Sequence, residues 1–192
     1  ERMVPGNQES FQTDFQVSVD SAADITTGIS AKDRSKTIQT LADPTALPED
    51  LVQPGHVFPL RSRPGGVLQR AGHTEAAVDL ARLSECRPIG VICEIMDDHG
   101  NMARLPKLKR FANKHKLKIC SIEELIAYRR NREKLVEKVE VVNLPSEHGE
   151  FKLHLYRSTI DDHHHLALVH GDVDLENSVI VRVHSECLTG DV

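Results

Sequence analysis

Apolar and polar residues alternate along Phe15-Gln16-Val17-Ser18-Val19, the period of a strand with one face on a core. Ser30 stands where it can cap a helix starting near Ala31, and Asp33 then falls in the first turn, where a negative charge suits the helix dipole. Residues 43–56, with Pro44, Pro48 and Pro54, read as a loop, followed by the short apolar stretch His56-Val57-Phe58-Pro59-Leu60 and a turn at Pro64-Gly65-Gly66. Thr74 through Leu83 has helical spacing, with Ala77, Leu80 and Leu83 expected to face a core. Val91-Ile92-Cys93-Glu94-Ile95-Met96 reads as a buried strand closed by the turn Asp97-Asp98-His99-Gly100. Pro106 suits the first turn of a helix carrying Leu108, Phe111 and Ala112. Ser121 and Glu124 have the spacing of a capping box, ahead of a helix that turns Ile122, Leu125 and Ile126 inward.

From Arg129 to Lys138 the chain is highly charged, an exposed helix end or a linker. Strand-like segments then follow one another at 139–144, 151–157, 166–169 and 178–183. Alternating helices and strands before 130 and consecutive strands after 138 place a domain boundary near 130–140. The expected class is α/β in the broad α+β sense: a mixed-sheet domain with packed helices, then the β-rich first part of a second α/β domain. The chain opens on Glu1 without Met and stops at Val192 directly after a strand-like run, so it is expected to be a piece of a longer polypeptide.

With 24 Lys and Arg against 29 Asp and Glu, the net charge of −5 argues against nucleic acid held by a basic face. No apolar run approaches the roughly 20 residues that cross a bilayer, so no membrane partner is expected. Of Cys86, Cys93, Cys120 and Cys187, two lie in apolar stretches and read as buried, reduced thiols, which favours a reducing, cytosol-like compartment.

Five places hold candidate chemistry. Arg70-Ala71-Gly72-His73-Thr74-Glu75 opens a helix, whose free N–H groups and positive end suit a phosphate. Gly72 lets the backbone come close, Arg70 can fork onto phosphate oxygens, Thr74 can donate its hydroxyl, and His73 can ligate a metal or move a proton. The plain alternative is a capped helix with a surface arginine. Glu94 is the one charge in its apolar run; buried there, its pKa should rise, which suits acid/base work near neutrality. The alternative is a solvated strand face or a pair with Arg104. His56 ends a long loop, where catalytic groups are common, although a lone histidine is more often structural. Asp161-Asp162-His163-His164-His165 reads as a polar turn between strands, because adjacent residues on a strand point to opposite faces and three successive histidines rarely converge on one ion. Cys187, beside His184 and Glu186, is by itself a poor zinc site.

Several stretches together resemble 3,4-dihydroxy-2-butanone 4-phosphate synthase: Thr27 to Arg34, Pro54 to Leu60, Gly65 to Ala76, Val91 to Glu94, Met102 to Pro106 and Ile126 to Arg129. From Gly149 through His170-Gly171-Asp172 to Arg182–Asp191 the chain resembles the start of GTP cyclohydrolase II. The resemblance implies a synthase domain over 1–132, a linker over 133–148 and the first part of a cyclohydrolase domain over 149–192, the layout of the bifunctional riboflavin biosynthesis proteins.

The resemblance implies a lyase that converts D-ribulose 5-phosphate to 3,4-dihydroxy-2-butanone 4-phosphate and formate with Mg²⁺ or Mn²⁺. It makes His56 and Glu94 the acid/base residues, Arg70, Ala71, Gly72, His73, Thr74 and Glu94 the substrate-binding set, and His73 a ligand of the divalent ion. The second part implies a hydrolase that opens GTP, releasing formate and diphosphate, with Arg182, Val183, His184, Ser185 and Glu186 on GTP and Cys187 on Zn²⁺. Family synthases are homodimers, and the compartment implied is the cytoplasm, or the plastid in a plant. The family's acidic metal-binding loop would lie before Glu1 and the remaining zinc cysteines after Val192. The alternative is a catalytically inactive scaffold or dimerisation partner derived from the same pathway.

Overall fold

The computed structural model describes residues 1–174, 178–185 and 187, and these fall into two compact units, Glu1–Asn131 and Arg132–Val192. In the first unit β1 (Asp14–Phe15) pairs antiparallel with β4 (Leu60–Arg61), and β2 (Val19–Ser21) with β3 (Leu51–Val57). Helix α1 (Ala31–Ala42) lies between β2 and β3 in sequence. Helices α2 (His73–Leu83), α3 (Leu105–His115) and α4 (Ile122–Arg132) follow β4. Part of the stretch expected to be loop, 43–56, is therefore strand β3: across from it, β2 has unpaired backbone groups to satisfy.

The helix starts are where the capping chemistry puts them. Ser30 Oγ accepts from Asp33 N–H at 3.1 Å, and Ser121 Oγ accepts from Glu124 N–H at 3.1 Å while the Glu124 carboxylate takes Ser121 N–H at 2.7 Å. Pro106 stands in the first turn of α3, whose Ala112 is buried. The core of the unit is Val67, Ala76 and Leu125, with Ile122 and Ile126 packed on it, as the α4 pattern led one to expect.

The buried face of α2 is not the expected one. Leu80 and Leu83 are exposed, and the residues turned inward are Glu75, Ala76 and Asp79. Two acids are stable there because each is hydrogen-bonded in full view of its partner. Asp79 Oδ2 accepts from Val67 N–H at 2.8 Å and from Arg129 at 2.8 Å, and Arg129 also donates to Gly65 O at 2.9 Å. Arg129, expected to begin an exposed charged run, is thus nearly buried and ties α4 to α2 and to the turn ahead of it.

Residues 91–95 form no strand. Among the described residues the run is joined only by the bridge Met96–Met102 and by Ala103 N–H donating to Ile95 O at 2.8 Å. An apolar run becomes a strand when a neighbouring edge supplies its hydrogen bonds, and no described strand pairs with it. Val91, Ile92 and Ile95 are exposed. The four cysteines are likewise exposed rather than buried, and none is in a disulfide.

The second unit is an antiparallel meander of β5 (Val136–Ser146), β6 (Gly149–Ser158) and β7 (His164–His170). Most of 133–148, expected as linker, is therefore strand, paired with β6 from Val136↔Ser158 to Ser146↔Gly149. The polar turn expected over 161–165 stops at His163, with Asp161 Oδ1 accepting from His163 N–H at 3.0 Å, and His164 and His165 already belong to β7. Hydrogen bonding from Ser158, then from His163, lowers the Asp161 pKa to about 2. Ser178–Val183, expected as a fourth strand, is exposed and unpaired by any described strand. The expected helix-and-sheet class holds; every pairing among the described residues is antiparallel. No helix of the described residues is long and apolar enough to cross a membrane.

Candidate active site

His56 is placed by an irregularity between β2 and β3. The pairing steps from Val19↔Val57 to Asp20↔Val52, so residues 53–56 bow out of the ladder opposite one peptide. The bow brings His56 back onto Asp20: His56 N–H donates to Asp20 Oδ1 at 2.9 Å, and ring Nδ1 stands 2.7 Å from Oδ2. The carboxylate side chain is 7% exposed and the imidazole 39%, so the ring is held at Nδ1 while more than a third of it stays open to solvent. Burial pushes the Asp20 pKa up, but the hydrogen bonds from His56, with the charges of His56 and Arg34, outweigh it and leave the carboxyl below its ordinary value. Gly28, at φ +86°, closes over the pair; a Cβ there would stand 2.2 Å from Asp20 Oδ2 and 2.7 Å from His56 Nδ1. Asp33 fixes that loop by accepting from Thr26 Oγ1 at 2.7 Å and from Gly28 N–H at 3.1 Å, bonds that hold its pKa down.

The start of α2 has Gly72 as N-cap and no side-chain cap, so the first-turn N–H groups are left for another acceptor. His73 is exposed, and Thr74 is half-buried. Arg70, expected to fork onto a ligand, has each guanidinium nitrogen engaged: Nη1 with Glu75 at 2.5 Å, Nη2 with Thr13 Oγ1 at 3.1 Å, Nε with Phe11 O at 3.1 Å. Gly72 admits this arginine rather than a ligand, since a Cβ on it would lie 2.3 Å from Arg70 Nη1. Glu75, which also accepts from Arg63 N–H at 3.1 Å, is the buried centre of this clamp.

Thr74 opens into a shallow cleft of about 280 Å³ lined also by Arg61, Ser62, Ala77, Ile89 and Ile92. A second hollow, of about 260 Å³, lies among residues 2–15 and Arg63 and holds none of the candidate residues. The first cleft brings the α2 tip against the segment that precedes Glu94 and adds a cation and a hydroxyl, Arg61 and Ser62, that the sequence reading missed. The only signal available was their place directly after His56–Leu60. Glu94 itself is solvent-exposed, which removes the burial argument for it and matches the solvated alternative; it makes no ion pair with Arg104. No hydrogen bond or ion pair joins His56, His73 and Glu94 to one another. Asp20, the acid that His56 does meet, was not among the sequence candidates.

In the second unit Arg182, Val183, His184, Ser185 and Cys187 are exposed and lie outside any described strand; Glu186 falls outside the described residues.

The family model for 3,4-dihydroxy-2-butanone 4-phosphate synthase matches residues 1–128. The chain belongs to that synthase family. A second model, GTP cyclohydrolase II, matches residues 137–192. The chain is 55% identical over 186 residues to the rice "Probable bifunctional riboflavin biosynthesis protein RIBA 2, chloroplastic", covering 97% of this chain and 34% of that protein. Among solved structures it is similar to RibBX of A. baumannii, a two-domain 3,4-dihydroxy-2-butanone 4-phosphate synthase, with TM-score 0.80 and 47% identity over 89% of this chain and 50% of that one. It is also similar to a synthase in complex with two magnesium ions, with TM-score 0.63 and 40% identity over 68% of this chain and 66% of the other. The chain thus spans a third to a half of the length of the first relatives it matches.

The sequence reading expects a divalent ion on His73. Among the described residues no three His, Cys, Asp or Glu side chains are placed to hold a metal. His73 and Cys187 each bring one donor, and a metal site needs several.

Proposed function

We propose that the protein carrying this chain is a riboflavin-pathway lyase that takes D-ribulose 5-phosphate to 3,4-dihydroxy-2-butanone 4-phosphate and formate. The observation that carries this reading is the cleft at the start of α2, in a chain of the synthase family: Thr74, in the first turn of a helix without a side-chain cap, and Arg61 line it together, residue types suited to a phosphate dianion. Arg70 serves by fixing the tip through Glu75 and Thr13, and Arg61 supplies the cation.

The reaction needs no second reactant: a five-carbon sugar phosphate yields a four-carbon ketone phosphate and a one-carbon acid. It opens with loss of a carbon-bound proton beside the carbonyl. In this reading the open edge of His56 receives that proton, and Glu94 exchanges protons with the sugar hydroxyls. A divalent ion, Mg²⁺ or Mn²⁺, would be held in part by His73 and would supply polarisation of the sugar's oxygens. Residues 137–192 belong, on the same reading, to a GTP-opening second activity with Arg182 to Glu186 on the nucleotide and Cys187 on Zn²⁺. Homodimerisation, and a cytoplasmic or plastid location, complete the proposal; the rice relative's name is chloroplastic. The inactive-scaffold alternative has no observation in its favour.

The test is steady-state kinetics of formate release by the full-length protein. Arg61→Ala should raise KM for ribulose 5-phosphate on the order of tenfold or more while kcat changes little, the mark of lost ground-state binding. An unchanged KM would remove Arg61 and the cleft from substrate binding.

A further inference from the structure

The mechanism above asks one imidazole to accept a proton, and a neutral imidazole does so only at the nitrogen that carries none. In water the neutral ring spreads its proton over both nitrogens, so a base that must always offer the same one needs a partner to hold the tautomer. The structure shows such a partner. Both oxygens of Asp20 are turned to His56, one on its backbone N–H at 2.9 Å and one on ring Nδ1 at 2.7 Å. The carboxylate is almost wholly buried, while the ring is more than a third exposed and, among the described residues, its Nε2 meets no hydrogen-bond partner.

Everything around the pair fixes it. The bow of residues 53–56 is pinned by Gly55 N–H on Ser18 O at 3.1 Å, and Gly28 packs so near that a Cβ on it would overlap the carboxylate. The carboxyl also stays ionised more readily than an ordinary aspartic acid, so its oxygen is an acceptor and the Nδ1 proton has somewhere to stay.

We infer that Asp20 is a positioning residue: its carboxylate holds the proton of neutral His56 on Nδ1 and so keeps Nε2, on the open edge, as the proton acceptor. Asp20 touches no substrate and acts only through the imidazole. This rests on the reading of His56 as the base, and the two can be tested apart.

The experiment uses the full-length protein with ¹⁵N-labelled histidine. In the wild type the His56 ring should give a protonated-type Nδ1 resonance and an unprotonated-type Nε2 resonance at a pH where the ring is neutral. Asp20→Asn should shift the proton toward Nε2 and lower kcat for formate release by roughly 10²-fold, the scale of a general base, with KM within about threefold. Asp20→Glu, which keeps the carboxylate, should recover part of kcat and the Nδ1 proton. A wild-type ring protonated on Nε2 overturns the inference whatever the variants do, including variants that fail to fold. So does Asp20→Asn with unchanged kcat. If His56→Ala keeps full turnover while the wild-type ring still carries its proton on Nδ1, the base reading fails and Asp20 is left as a structural partner only, which overturns the inference as well.

Discussion

Gly28 sits at φ +86° with its α-carbon turned toward the Asp20–His56 pair, and a methyl group there would overlap Asp20 Oδ2. Gly28→Ala is therefore expected to cost about 2–4 kcal/mol of stability, from the unfavourable backbone region together with overpacking, which urea unfolding would measure. Asp20 makes a second, pH-dependent mark. Its folded pKa lies below the unfolded value of about 3.9, so the stabilisation it gives is present above that value and is lost as pH falls through the lowered one. Unfolding midpoints from pH 6 down to pH 2 should thus fall less steeply in Asp20→Asn than in the wild type; parallel curves would remove the linkage. At this scale the sequence was legible where partners are near neighbours, as with Ser30 and Asp33 or Ser121 and Glu124. It was not legible for Asp20, whose partner stands 36 positions away and meets it only because the β2–β3 pairing slips.

Helix starts followed from the Ser30 cap, Pro106 and the Ser121–Glu124 capping box, but the inward face of α2 did not follow from its period. Periodicity counts apolar side chains, and α2 buries two acids whose partners come from Arg63, Val67, Arg70 and Arg129. Removing one side of a buried pair leaves the other uncompensated. Asp79→Ala should accordingly destabilise the chain by about 3–5 kcal/mol, read from the denaturant midpoint; a loss under about 1 kcal/mol, the value of an exposed pair, would contradict a buried Asp79–Arg129 pair. The run from Val91 to Met96 shows the opposite error. Its composition fits a strand, yet a strand also needs an adjacent edge, and pairing is a property of two segments that one segment's composition does not hold.

Across the whole chain the change from alternating helices and strands to a meander is visible in the sequence, and two family models meet near the same place, one ending at 128 and the other starting at 137. What the sequence could not show is how the candidate residues divide. The α2 tip and the segment ahead of Glu94 share a cleft with Arg61, while His56 is fixed separately on Asp20. The account rests on these groups acting on one sugar phosphate. The most direct test is formate release from D-ribulose 5-phosphate by the full-length protein, wild type beside Glu94→Gln. The account predicts formate from the wild type and a loss of roughly 10²-fold or more in kcat for the variant, with the fold unchanged by circular dichroism. Equal turnover by both proteins, or no formate from the folded wild type supplied with Mg²⁺ or Mn²⁺, would contradict it.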